Sequence, residues 1–504
     1  MIQTIEQSWW FILLGYIAFF VFTVGIMALG AIIEKKTKID KTICRKLTHI
    51  ASAFTWIICR FFFGCSIHWI IVNAVGAVAL GFVSFGRGID AYAREDAKKS
   101  YGLFYFGVVT LVVACITYAV YHYVGVELGT KLYYAAGIAY YCLSLGDGLA
   151  PVVAKAFKNK NYELIKNRTL VGTLTVFVVS FLTVWAFTAI TGIKFNLLFM
   201  ISIASLTCIV EFYGIKGIDN ILIDLCVFGY ILLYHLNLVG GVLMVLIAVS
   251  PVLTCLLFLS KSLSFSGGLA TLALFYTIGY FSVDNSMPIV FVSVMFLIAT
   301  VIAIISKKVR QRRGEGEGVK HTRTGKQVLA VGVMAVVSLI LYYFTQKTIF
   351  NLLYYVCITE QFADSVASDF GCLTKGKNVN IIGFKPIEKG ISGGTSLLGT
   401  ALALVSAFFL MGIPFALNIG GMNALCYVVA SLVAFVGTLI DSILGSLFQA
   451  LYKCEKCGVR VEEEYHCGQE TKLIKGSKII KNVTVNFLTS GLTFLLGFVL
   501  LFVI

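Results

Sequence analysis

Residues 9–33 read WWFILLGYIAFFVFTVGIMALGAII, 25 positions without a charge. About 20 apolar residues carry an α-helix across the roughly 30 Å hydrocarbon core of a bilayer, so this stretch is read as a membrane-spanning helix. It is too long for a signal-peptide core and has neither a basic start nor a small-residue cleavage site, so it is expected to be retained as the first helix. Similar runs recur along the chain. Leu170–Gly192 is one, and Leu225–Ser260 is long enough for two short spans around Gly240 and Gly241. Ile391–Ile440 holds two more, with a turn near Asn418–Gly421, and Ile50–Gly64 is a short candidate. About sixteen candidate spans follow from this reading.

Composition agrees. Hydrophobic residues make up 59% of the 504 and charged residues 13%. A soluble core cannot hide that much apolar surface, so the surplus faces lipid. The fold class expected is an all-α polytopic membrane protein, with about 14–16 transmembrane helices in two fused helical-bundle domains, 1–258 and 259–504. Only five prolines occur, as unbroken helices require. The net charge of +15 sits in six loops between spans: Glu34–Lys46, Arg87–Lys99, Lys155–Arg168, Lys307–Lys326, Lys375–Lys389 and Lys453–Lys481. An even number of candidate spans separates them, so all six fit one side. The positive-inside bias makes that side cytoplasmic. The charge is therefore read as topology and attraction to anionic lipid, not as a nucleic-acid surface.

Acidic residues at span ends are costly unless paired, hydrated or metal-bound. Asp147 lies in Leu145-Gly-Asp-Gly-Leu-Ala150, and flanking Gly146 and Gly148 would let a phosphate or Mg²⁺ approach its carboxylate. A tight turn with Asp147 as a helix cap is the structural alternative. Arg168, Thr169 and Gly172 open the next span, where a guanidinium and backbone amides favour an anion. In the second half, Asp364 and Asp369 bracket Ser365 and Ser368, and a distorted helix end could converge them. Lys385 precedes a hydroxyl- and glycine-rich turn with Gly393, Gly394 and Ser396, whose amides could cradle phosphate, although a plain loop accounts for the same residues. Asp441, Asn482 and Asn486 add polar groups in apolar surroundings, as site residues or as packing polar residues.

Two resemblances follow from these motifs. Residues about 35–225 resemble the phytol kinase and dolichol kinase family of polyprenol kinases. The resemblance rests on Arg45-Lys46…His49, Tyr101-Gly-Leu-Phe-Tyr105, Gly146-Asp-Gly-Leu-Ala150, and Glu211 with Gly217-Ile-Asp219-Asn220. The family's Lys-Ser is Arg168-Thr169 here, its following acidic residue is absent, and Asp224 replaces a proline. From about Ser260 to Ile504 the chain resembles the phytyl-phosphate kinase family. Here the match runs through Lys261–Gly267, Arg323 with Gln327–Ala330, Ala363–Asp369, Gly390–Ser396, Gly437 with Asp441–Gly445, and Asn482 with Val485–Leu488. Asp369 stands where Glu is usual.

The resemblances imply phosphoryl transfer from CTP or another nucleoside triphosphate, with Mg²⁺, to an isoprenoid alcohol and then to its monophosphate. The nucleotide, the alcohol, its phosphate and membrane lipid are the implied partners. Asp147, Arg168, Asp364 and Lys385 would be catalytic, and Asp147, Asp364, Asp369 and Asp441 would hold Mg²⁺. Arg45, Lys46, His49, Gly146, Gly148, Thr169, Gly172, Glu211, Asp219, Asn220, Ser368, Gly393, Gly394, Ser396, Asn482 and Asn486 would bind substrate or nucleotide. For His49 a helix-packing role is the equal alternative. A cytidylyltransferase acting on a lipid phosphate and a lipid transporter or flippase are the rival functions. Fourteen cysteines are scattered, mostly in apolar runs. Cys454, Cys457, His466 and Cys467 form the one cluster, able to hold structural zinc or to persist as reduced thiols.

Overall fold

The computed structural model describes residues 8–36, 41–85, 94–95, 98–99, 102–157, 163–165, 168–214, 217–259, 263–282, 286–312, 322–371, 378–387 and 391–504. Tyr101, Lys261, Lys389, Gly390 and most of the loops at Arg87, Lys160, Glu315 and Lys375 lie outside the described residues. So does the Arg45 side chain, although its backbone is helical. The chain forms two compact units, Met1–Leu259 and Ser260–Ile504.

The first unit contains α1 (Trp9–Lys36), α2 (Lys41–Ser52), α3 (Phe54–Phe62), α4 (Ile67–Phe85) and α5 (Gly102–Ala119). Then come α6 (Val126–Tyr141), α7 (Gly148–Ala156), α8 (Leu170–Thr191), α9 (Leu197–Tyr213), α10 (Asp219–His235) and α11 (Gly241–Leu259). Helix α9 is the centre, packed by α8, α10 and α11. The second unit contains α12 (Phe265–Phe281), α13 (Met287–Arg312), α14 (Gly325–Thr345), α15 (Thr348–Gly371), α16 (Leu397–Ala416), α17 (Ala424–Phe448) and α18 (Asn482–Val503). Helix α15 is its hub and touches α13, α14, α16, α17 and α18.

Among the described residues, ten helical segments are long and apolar enough to cross a membrane, and three shorter apolar helices accompany them. They bear out the all-α polytopic membrane fold expected from the sequence. The Ile50–Gly64 candidate breaks at Ala53 into α2 and α3, neither long enough to cross a bilayer. The breaks at 236–240 and at Asn418–Gly421 fall where the glycines and Asn418 pointed, Asn418, Gly420 and Gly421 all being left-handed. Several helix starts are capped by hydroxyl or amide side chains. Thr169 accepts from Gly172, Asn196 from Phe199, Ser264 from Gly267, and Ser396 from Gly399. Among the described residues, short β-strands occur only in the connections. One three-stranded antiparallel sheet joins Asn378–Asn380, Pro386–Ile387 and Gly394–Thr395, and another joins Leu451–Lys453, Arg460–Val461 and Lys472–Lys475.

Candidate functional site

Each unit gathers carboxylates where its polar motifs meet. In the first, residues Cys142–Asp147 form a π-helical turn between α6 and α7. Such widened turns re-aim side chains, often at functional positions. Here the turn delivers Asp147, buried, to the face of α2. Lys46 Nζ lies 2.5 Å from Asp147 Oδ2, and His49 Nδ1 lies 3.5 Å from the same oxygen. Lys46 and His49 stand one helical turn apart, so both reach one carboxylate. The His49 ring also meets Phe106 edge-on at 5.5 Å.

Arg168 follows a similar logic. It ends a short hairpin just before α8 and forks toward Glu211 at the end of α9 and Asp219 at the start of α10. It donates to Glu211 Oε1, to the Gly214 carbonyl at 3.2 Å, and to Asp219 Oδ2 at 3.5 Å. Burial opposes the Arg168 charge, but the carboxylates of Glu211, Asp219 and Asp147 outweigh it, so its pKa lies above the ordinary value. Glu211 in turn feels the charges of Arg168, Asp147, Asp219 and Lys46. The two clusters are thus one electrostatic site. Asn220 is anchored away from it, donating to the Gly102 carbonyl at 2.9 Å.

The glycines lie against neighbouring groups. A side chain at Gly148 would run into Ile50 of α2, and one at Gly146 would meet Ser180 Oγ at 3.3 Å on α8. At Gly172 it would face Thr169 Oγ1 at 3.1 Å and, further off, Ala154 of α7. The missing side chains make room for these neighbouring groups. Thr169 is a helix cap. Sequence reasoning also missed Asp224, which is buried and shares a cavity of about 40 Å3 with Thr55, Trp56, Asn73 and Tyr140. Its polar position within an apolar helix was the available signal.

The second unit holds a larger cavity, of about 430 Å3. Ile358 and Gly371 of α15 both line it, about 20 Å apart along the helix at 1.5 Å per residue. Phe275, Ile278, Met295, Phe296 and Val331 form apolar wall, while Asp364, Ser368, Asp441, Asn482, Asn486 and Arg323 supply polar groups. The polar residues come from the ends of their helices: the C-terminal half of α15, the last turns of α17, the first turns of α18, and the approach to α14. Asp441 accepts from Thr489 at 3.2 Å. Asp364 feels Asp441 first among its charged neighbours, then Arg323 and Asp369. Buried Glu360, one turn before Asp364, joins them and holds Gln361 at 2.7 Å. Carboxylate oxygens are the ligands that a hard divalent cation prefers. Asp364 and Asp441 would hold it.

Two expected members of this site are placed otherwise. Lys385 is exposed on the hairpin and does not line the cavity, since the strand Pro386–Ile387 pairs at the sheet edge. Asp369 does not line it either; helical spacing turns it off the stripe of Asp364 and Ser368, and its carbonyl accepts from Ser306 at 3.3 Å. Gly393 and Gly394 do line the cavity, but the turn's amides are already engaged. Ser392 N–H goes to Glu462 at 2.8 Å and Gly394 N–H to the Ile391 carbonyl at 3.2 Å. Gly393, at φ +83°, also lies against the Ser446 backbone, where only a glycine fits. Ser396 lines the cavity while capping α16.

Arg323, Gln327 and Glu360 were not read as site residues. For Arg323 the signal lay in its pairing with Lys261–Gly267. Its carbonyl accepts Ser264 N–H at 3.1 Å, and Ser266 Oγ accepts Gly325 N–H at 3.1 Å, which pins the start of α14 to α12. The cysteine cluster is assembled on the connection from α17 to α18. His466, then the Cys457 and Lys456 amides, hydrogen-bond Cys454 and bring its thiol down to about 6.

Comparison with known proteins adds three findings. A 149-residue stretch is 30% identical to Protein PGR of Arabidopsis thaliana, covering 28% of this chain. The chain spans half the length of that relative, 50%. No solved structure matches. Residues 248–494, which hold the large cavity and the cysteine cluster, match the family described as integral membrane protein DUF92, and the chain is a multi-pass α-helical membrane protein.

Proposed function

We propose that the protein is a membrane phosphotransferase that converts an isoprenoid alcohol to its monophosphate in the first unit and the monophosphate to the diphosphate in the second. The observation that carries this reading is the cavity of the second unit. Its apolar length suits a prenyl chain, and its carboxylates, asparagines and Arg323 suit a phosphate with a nucleotide-bound cation. The first unit supports the earlier step with a buried carboxylate beside an amine and an imidazole.

In the first step the alcohol oxygen bonds to the γ-phosphorus of a nucleoside triphosphate and the bond to the diphosphate leaving group breaks. The hydroxyl proton passes to Asp147, and Lys46 and His49 hold that carboxylate in place. In the second step a phosphate oxygen of the monophosphate attacks in the same way. Mg²⁺, when bound, neutralises the charge shared by the phosphates. Asp364 and Asp441 orient the bound nucleotide, while Arg323, Asn482 and Asn486 hold the lipid phosphate. The basic loops are read as cytoplasmic, where nucleotide is available.

The test is to incubate the purified protein with a panel of labelled nucleotides and with phytol, farnesol or geranylgeraniol, then separate mono- from diphosphate products. Nucleotide-dependent formation of both products supports the reading. Transfer of a nucleotidyl group to lipid phosphate would replace it with a cytidylyltransferase, and the absence of any covalent product would remove the enzyme reading.

A further inference from the structure

The connection between α17 and α18 contains a stretch with no core. From 455 to 470 no residue is buried, and its strands are two residues long. A segment with so little to bury gains order from a staple such as a disulfide or a metal. Yet the backbone here is sharply specified. Cys454 accepts from the amides of Lys456 and Cys457, Gly458 N–H returns to the Cys454 carbonyl at 2.8 Å, and Gly458 is left-handed. This is a tight loop that turns two sulfurs to one side. Opposite it, Tyr465–His466 pairs with Gln469–Glu470 across a two-residue turn, Cys467 and Gly468, both left-handed at φ 52° and 78°. A left-handed cysteine is strained, and the strain needs a compensating interaction. The turn also resolves how adjacent residues could be ligands, because it brings His466 and Cys467 to the same point.

The four donor atoms, three Sγ and one imidazole nitrogen, all lie within 4.8 Å of one another. His466 Nδ1 is 3.5 Å from Cys457 Sγ and 3.2 Å from Cys467 Sγ. A tetrahedral zinc with bonds of about 2.3 Å to sulfur sets sulfur–sulfur edges of about 3.8 Å, so only a small contraction is required.

We propose that Cys454, Cys457, His466 and Cys467 bind one structural zinc ion through three thiolates and His466 Nδ1. Zinc bonds replace the missing core of the loop. They also fix Glu462, which lies between the two ligand pairs and reaches back to the cavity turn. Its Oε1 accepts Ser392 N–H at 2.8 Å, and its Oε2 accepts from Gln449 at 2.7 Å. The zinc site therefore positions a wall of the large cavity without touching substrate.

The test uses the full chain, purified in detergent without chelator. Metal analysis should give about one zinc per chain, and titration with a mercurial should release it. Cys457→Ser and Cys467→Ser, both at exposed positions, should each lower the zinc content several-fold, whereas Cys426→Ser on α17 should leave it unchanged. Exchange for Co²⁺ should produce the absorption of a tetrahedral thiolate site, a readout independent of any kinase activity. Zinc absent from the native chain, with four free donors or a disulfide among the cysteines, would overturn the proposal, as would zinc unaffected by both substitutions.

Discussion

Ser392 donates its backbone N–H to the carboxylate of Glu462, a residue 70 positions later in the chain, at 2.8 Å. Gln449 bonds to both, at 2.8 Å to Ser392 Oγ and 2.7 Å to Glu462. A turn on the wall of the cavity is thus held from a loop that has no place in the cavity itself.

Replacing Glu462 with Ala should leave the Ser392 amide without its acceptor, a loss of about 1–3 kcal/mol. The turn should loosen, so KM for the lipid monophosphate should rise more than kcat falls, while phosphorylation of the free alcohol is unchanged. Steady-state kinetics with each lipid separates these outcomes; equal loss on both would contradict a local role.

Arg168 is clamped between Glu211 and Asp219, so its removal should act on stability first. Arg168→Ala should cost about 3–5 kcal/mol by leaving buried Glu211 unpaired. Pairing it with Glu211→Gln should restore much of that loss. Thermal unfolding in detergent, followed by size-exclusion chromatography, measures both. A single variant with unaltered stability would return Arg168 to a purely phosphate-binding role.

At Gly148 even a methyl group would run into Ile50. Gly148→Ala should destabilise the first unit by about 1–3 kcal/mol through overpacking. Gly25→Ala, where nothing lies within 4 Å, should be silent. Equal melting of the two variants would show that α2 and α7 do not pack this closely.

The helices were legible because apolar length alone decides a span, and the breaks at Gly240–Gly241 and Asn418–Gly421 were legible because those residues tolerate turns. The carboxylates were legible too, since a charge in an apolar run has few bland explanations. What the sequence concealed was which neighbour each polar group would find. Lys385 looked like a phosphate lysine because it precedes a glycine turn, but the strand pairing of Pro386–Ile387 carries it to the exposed edge. Arg323, 41 residues before Asp364, supplies the facing charge instead, and only the packing of α12 on α14 brings it there. The glycines are alike in this: a missing side chain makes room, and only the fold says which neighbours meet it.

Orientation follows from the basic loops. Single cysteines introduced beside Lys385 or Lys453 should resist a membrane-impermeant reagent applied outside intact cells and react once the membrane is permeabilised. Efficient labelling from outside at either site would invert the topology.

Two carboxylates in separate units give the central claim its most direct test. Asp147→Asn and Asp364→Asn each remove one charge with little change in volume, and each should slow its own step by about 10²-fold or more. Products from labelled nucleotide should be measured with free alcohol and with monophosphate supplied in turn. The account predicts a crossed pattern. Asp364→Asn accumulates monophosphate from alcohol, while Asp147→Asn makes nothing from alcohol yet converts supplied monophosphate to diphosphate. Failure of both variants on both substrates would contradict two sequential sites, and wild-type diphosphate formation by Asp364→Asn would remove the second unit from the chemistry.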